Sequence, residues 1–138
     1  MNGAAIMNFT LKRVPPLISD TLGAAGMGPG DVDYFVLHQS NRFIMKHLAR
    51  KCNVPDDKMP MTLWEHGNTG GPSVPLTIAQ GKLVRPGERA LRLLLLAYGV
   101  GLSWGSALVD LPMDAVLDHI VLDQRQTVEN ICHSKFSA

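Results

Sequence analysis

Cysteine is scarce in this chain: Cys52 and Cys132 are its only two in 138 residues, far apart and in no C-x-x-C pair. That argues against a zinc ribbon and against a disulfide framework, and makes a reducing cytoplasm the expected setting. Aromatic residues are few, at 6%, and form no stacking platform for nucleic acid. Charge is also low, 18% against about 25% in average soluble domains, which points to a surface partly covered by something else. Neither sign prevails. With 13 Lys+Arg against 12 Asp+Glu the net charge is +1, so no global field draws the chain to nucleic acid or an anionic membrane. The longest apolar run, 93–97, is far short of the ~20 residues a spanning helix needs. Residues 1–9 lack the basic region and apolar run of a signal peptide. What is present is 46% apolar residues, enough for one ordinary core.

Periodicity predicts a helix over 3–13, interrupted at Pro15-Pro16, then a second helical piece over 17–25 ending in the turn-rich 26–30. Residues 34–37 read as a short apolar strand running into His38-Gln39-Ser40-Asn41. The next helix, 42–52, places Ile44, Met45, Leu48, Ala49 and Cys52 on a buried stripe. Its other face carries Arg42, Lys46, Arg50 and Lys51. An extended piece over 59–64 leads into the glycine-rich loop around Asn68, and a helix follows over 72–84. The run 91–98, apolar save for Arg92, has the pattern of a sheet centre covered on both faces, and 102–111 returns as an antiparallel neighbour. Pro112 opens an amphipathic helix with Met113, Val116, Leu117, Ile120 and Val121 on one side; 124–138 carries no structural signal. This order implies an α/β domain with a mixed sheet. Ligands bind such sheets beyond the strands' carboxyl ends, so His38, the Asn68 loop and the Gly99 loop are expected to converge.

Three stretches, in order, resemble the C-terminal part of the ketoacyl-ACP synthase III family of condensing enzymes. They are His38-Gln39-Ser40-Asn41 after a strand, Gly67-Asn68-Thr69 before a helix, and the run from Tyr98 through Gly99-Val100-Gly101 to Leu108. The similarity covers 1–111, taken as the domain, with 112–138 as a C-terminal extension. The resemblance implies a thiolase-like C-terminal half-domain, truncated at its N-terminal side, with a mixed sheet and helices on both faces.

It further implies decarboxylative Claisen condensation of an acyl thioester with malonyl-ACP. His38 and Asn68 take the family's catalytic positions. As two neutral donors they stabilise the negative charge that decarboxylation places on the malonyl thioester oxygen. Backbone N–H groups of Gly99, Val100 and Gly101 correspond to the loop holding the acyl-thioester oxygen. Gly3 and Asn41 correspond to substrate and CoA contacts. Acyl-CoA and malonyl-ACP enter as substrates, with no tightly bound cofactor and no metal. The implied partners are acyl carrier protein and either the missing N-terminal half or a second copy, as a homodimer. Carrier docking falls to Arg42, Lys46 and Arg50, since carrier proteins present an acidic helix. The family's nucleophilic cysteine has no counterpart here. Cys52 lies on the apolar stripe at a helix C-terminus, where dipole and burial both oppose a thiolate. The isolated chain is therefore expected to be inactive in acyl transfer.

Each residue also has a plainer reading. His38 would otherwise be an ordinary strand-end histidine, and Asn68 a turn residue tolerant of left-handed backbone. His47, His66, His119 and His133 are taken as surface or structural, and His38, His47, Cys52 and His66 lack zinc-ligand spacing. The basic face of 42–51 would ordinarily be solvated. Trp64 and Trp104 read as core or interface packing. The rival functions are a non-catalytic condensing-enzyme remnant that dimerises or binds carrier protein or CoA, and a different thiolase-fold chemistry such as thioester hydrolysis or a secondary-metabolite synthase. An unpaired sheet edge and an uncovered apolar face predict self-association.

Overall fold

A computed structural model describes residues 3–84, 87, 89–99, 101–112 and 115. The expected helix after Pro112, the 124–138 stretch, Cys132 and Val100 lie outside the described residues.

The chain opens with α1 (Gly3–Ala24), whose buried members Thr10, Val14, Ile18 and Leu22 recur every fourth residue. The helix runs straight through Pro15-Pro16, contrary to the expected interruption. Pro15 removes the N–H that would bond the Leu11 carbonyl. Lys51 Nζ, from a neighbouring helix, donates to that carbonyl at 2.8 Å instead. Val14 and Ile18, on either side of the prolines, are 0% and 4% exposed. Burial of each is worth about 2 kcal/mol, comparable with the roughly 3 kcal/mol an interior proline costs.

A 3-10 turn at Pro29–Asp31 leads to β1 (Tyr34–Leu37), followed by α2 (Arg42–Lys51), a second 3-10 turn at Asp56–Lys58, α3 (Leu63–His66) and α4 (Ser73–Gln80). The strands β2 (Leu91–Gly99) and β3 (Ser103–Leu111) complete the sheet. The expected extended piece at 59–64 is not a strand. Thr62 N–H bonds the Gln39 side chain rather than a ladder partner, and Leu63–His66 makes one helical turn. The helix expected over 72–84 stops at Gln80: Gly81 is its C-cap, and Lys82 follows with φ of 53°.

The sheet order is β1-β2-β3, with β1 parallel and β3 antiparallel to β2. The leucine-rich β2 is thus central and buried on both faces. One face joins Phe35, Leu37, Leu94, Leu96 and Tyr98 to α1 and α2; the other joins Val36, Leu91 and Leu93 to Val74 and Ile78 of α4. β3 is an edge strand, largely exposed at its Ser103 end. None of the helices among the described residues is long and apolar enough to cross a membrane.

Candidate active site

The parallel ladder continues one residue past β1, where His38 N–H bonds the Leu96 carbonyl at 2.8 Å. The chain then turns sharply, with Ser40 N–H bonding the His38 carbonyl at 3.0 Å, and Asn41 starts α2. Asn41 Oδ1 accepts the Ile44 N–H at 2.9 Å, a side-chain N-cap. His38 is half-buried, its ring edge-on to Tyr98 with centroids 5.0 Å apart and its Nδ1 2.8 Å from Ser73 Oγ at the start of α4.

Asn68 comes from a separate segment, the exposed loop between α3 and α4. Gly67 at φ 63°, ψ −154° makes the sharp exit from α3, in a region that only glycine adopts without strain. Asn68 Oδ1 accepts the Gly70 N–H at 3.0 Å, which orients the carboxamide and leaves its NH₂ as the free-facing donor.

Both side chains line one cavity of about 620 Å³. Its far wall is the end of β2, Ala97, Tyr98 and Gly99, with Gly101 and Leu102 of the following turn; Ile6 and Phe9 of α1 close one side. The surroundings are mostly apolar, with His38, Ser40, Asn68 and the Tyr98 hydroxyl as the polar side-chain groups. The three loops expected to converge do so. Gly101 has φ of 94°, and Gly99 ends the β2 ladder opposite Ser103.

Burial pushes the His38 pKa down, partly offset by a backbone hydrogen bond with Gly70. The imidazole is therefore neutral at physiological pH, with a single N–H to offer. Burial likewise raises the Tyr98 phenol, which bonds Ser40 Oγ at 2.8 Å and remains un-ionised. The Cys52 thiol at the C-cap of α2 is pushed up by burial, only partly countered by the Lys51 charge. It does not line the cavity. No group of three or more His, Cys, Asp or Glu residues suited to a metal ion occurs among the described residues.

The other expected site residues fall elsewhere. Gly3 begins α1 and is not on the cavity wall. Asn41 borders a smaller groove of about 260 Å³, which shares Ser40 and Asn68 with the main cavity. Trp64 on that groove is 72% exposed, not core, and Arg42 lies over its ring at 5.1 Å. Trp104, 44% exposed, packs edge-on against Phe9. On the basic face of α2, Lys46 pairs with Asp56 and Lys51 donates to Leu11, so Arg50 contributes the least committed cation of the four. Sequence reasoning missed Ser73 and Tyr98 as partners of the His38 ring. Ser73 is 35 residues away, and no local pattern announces it.

A model of the 3-oxoacyl-(acyl-carrier-protein) synthase III C terminal matches residues 22–111. The chain belongs to that family. The beta-ketoacyl-(acyl-carrier-protein) synthase III of Streptococcus gordonii is 36% identical over 113 residues, 79% of this chain and 34% of the relative. That of Gloeobacter violaceus is 38% identical over 108 residues, 76% of this chain and 32% of the relative. The crystal structure of a 3-oxoacyl-(acyl-carrier protein) synthase from Burkholderia xenovorans LB400 superposes with a TM-score of 0.80 at 41% identity, covering 86% of this chain and 34% of that one. The chain thus spans about a third of the length of the curated relatives it matches. Its mixed sheet, with helices on both faces, is a thiolase-like C-terminal half-domain.

Proposed function

We propose that this chain supplies the enolate-stabilising side of a decarboxylative Claisen condensation between an acyl thioester and malonyl-ACP in fatty-acid-type biosynthesis. Two groups donate to the malonyl thioester oxygen: the neutral His38 imidazole through a ring N–H, and the Asn68 carboxamide through its NH₂. The carboxylate leaves as carbon dioxide, and its bonding pair becomes the enolate. The enolate carbon then attacks the acyl carbonyl, forming the new C–C bond and expelling the thiolate that held the acyl group. Neutral donors suit this sequence, because charge on the oxygen appears only in the transition state and enolate, where preorganised dipoles act differentially. Backbone N–H groups of the loop at Gly99, Val100 and Gly101 serve the acyl-thioester oxygen, and Gly3 and Asn41 the CoA or pantetheine portion.

One observation carries this reading: His38 and Asn68, delivered by separate loops, line a single cavity. Acyl transfer also needs a nucleophilic thiolate. Cys52 is unsuited, being outside the cavity with its thiol pKa raised. This reading assigns the acyl-holding cysteine to another polypeptide segment, either an N-terminal portion of the enzyme or a partner subunit in a homodimer. Carrier protein docks on the outer face of α2, through Arg42, Lys46 and Arg50. The second reading, a non-catalytic carrier- or CoA-binding module, is favoured by the lack of a suitable thiol at the cavity among the described residues.

Decarboxylation separates the two, since it requires the donors and not the nucleophile. The chain is incubated with a malonyl thioester, and carbon dioxide release and acyl-thioester formation are followed. Release above background, lost in both His38→Ala and Asn68→Ala, supports the catalytic reading. Binding of the thioester without release, or release indifferent to both substitutions, refutes it in favour of the module.

A further inference from the structure

Five polar or charged residues are buried among the described residues, and four of them, Gln39, Thr62, Ser73 and Thr77, form one hydrogen-bonded network behind His38. A buried network is costly unless each group is satisfied, so its protons can be assigned one at a time. Thr62 N–H donates to Gln39 Oε1 at 3.1 Å, while Gln39 Nε2 donates to the Leu37 carbonyl at 2.9 Å. Thr77 Oγ1 donates to the Ser73 carbonyl at 2.8 Å, because a carbonyl only accepts. Its proton so used, Thr77 Oγ1 accepts from Thr62 Oγ1 at 3.0 Å. Ser73 Oγ receives the Gln39 N–H at 3.4 Å, again fixed in direction because a backbone amide only donates. The hydroxyl proton of Ser73, which is 2% exposed, then has one acceptor in reach, the His38 Nδ1 at 2.8 Å.

We propose that Ser73 is a positioning residue for His38: its hydroxyl donates to Nδ1 and thereby fixes the imidazole as the Nε2–H tautomer, aiming that N–H at the cavity. The opposite tautomer would have Nδ1–H donate to Ser73 Oγ and leave the buried Ser73 proton without an acceptor, a loss that a buried hydroxyl resists. Tyr98 stands perpendicular to the same ring, with centroids 5.0 Å apart, and the Gly70 backbone also bonds the imidazole. With Nδ1 taken by the Ser73 hydroxyl, the proton falls to Nε2. The inference deepens the proposed function, which needs a neutral imidazole donor, by naming what makes the correct nitrogen carry the proton.

The test reads ring nitrogens directly, by ¹⁵N NMR of the full chain carrying ¹⁵N-histidine, at about pH 8, where imidazoles are neutral. His38→Gln identifies the His38 signals among the five histidines. The wild-type chain shows a protonated Nε2 and a hydrogen-bonded, unprotonated Nδ1. In Ser73→Ala the Nδ1 signal moves to that of an unbonded nitrogen and an Nδ1–H population appears. Thr77→Val, which disturbs the network one step away from the ring, leaves both signals in place. A wild-type proton on Nδ1, drawn by the Gly70 backbone instead, overturns the proposal, and this result needs no variant to fold. So do ring signals unmoved by Ser73→Ala, or moved as far by Thr77→Val. A fixed Nε2–H tautomer in a chain that releases no carbon dioxide from a malonyl thioester refutes the proposed function and leaves this inference standing.

Discussion

Asn68→Asp is the sharpest perturbation of the proposed enolate site, because it changes charge with little change of shape. The Asp side chain keeps the oxygen that accepts the Gly70 N–H at 3.0 Å, so the loop retains its turn. What it loses is the NH₂ donor, worth about 3 kcal/mol in a preorganised oxyanion site. What it gains is a carboxylate beside a developing negative charge. At roughly 4 Å that repulsion is about 1 kcal/mol in water and about 4 kcal/mol near a protein surface. Asn68 is exposed, so the lower figure applies. The sum, about 4 kcal/mol, corresponds to roughly a thousandfold loss in the rate of malonyl-thioester decarboxylation. Asn68→Ala, losing only the donor, slows the reaction about a hundredfold. The ordering is the test, read as carbon dioxide release under identical thioester concentrations. The gap between the two variants should also narrow at about 1 M salt, where exposed charges are screened. An Asn68→Asp chain as fast as Asn68→Ala, or faster, refutes the assignment of the carboxamide as a donor to an anionic oxygen.

Three further outcomes follow from the fold. Asn41→Ala removes the side-chain acceptor at the start of α2 and should cost about 1 kcal/mol in denaturant unfolding, while Asn41→Asp, which keeps the acceptor, should be near neutral. Lys51→Met should cost about 0.5 kcal/mol by removing the exposed hydrogen bond to the Leu11 carbonyl, and close to nothing in a Pro15→Ala background, where a backbone N–H takes that carbonyl; a double-mutant cycle measures the coupling, and simple additivity refutes it. The Asp33 carboxyl is held below its usual range chiefly by its hydrogen bonds from the Arg89 guanidinium, with the Arg92 N–H helping. A depressed folded-state pKa means stability present above the unfolded carboxylate pKa, about 3.9, and lost as pH falls through the lower folded value. Asp33→Asn should therefore lower Tm at neutral pH, with the gap closing as pH falls through the lowered Asp33 pKa.

Legibility in the sequence followed the range of the interactions. The leucine run of β2, the four-residue recurrence of Ile44 and Leu48, and the strand ahead of His38 are local patterns, and each element stands where it was expected. The antiparallel return of β3 was legible from the short glycine turn before it. Where a distant group intervenes, local reading failed. Pro15-Pro16 does not break α1, where Lys51 takes over the Leu11 carbonyl from 40 residues away in sequence. Residues 59–62 do not extend into a strand, because the Gln39 amide takes the Thr62 N–H. At Gly81 a Cβ would stand 2.4 Å from the Thr77 carbonyl, so glycine closes α4 early, a close approach invisible in the letters. That His38 and Asn68 share one cavity was anticipated from their motif context, while the Ser73 contact with His38 escaped, since a serine opening a helix has a plainer role as a first-turn residue.

The two proposed donors are held with unequal firmness, and that asymmetry has a mechanical meaning. His38 rests on a network whose members are all nearly inaccessible, so its orientation is set by the fold itself. Asn68 is exposed and hangs on one hydrogen bond within its own loop, between two glycines at φ 63° and 69°. Preorganisation lowers a barrier more, the more firmly the donor is placed before the charge appears. Both donors act in this chain alone, and Asn68 has the more to gain once another surface covers the 67–70 loop and excludes water. A partner segment that raises the decarboxylation rate should act through Asn68: its effect should vanish in Asn68→Ala and persist in His38→Ala, scaled down but present. The reverse pattern would mean that the buried network, not the exposed loop, is what the partner completes.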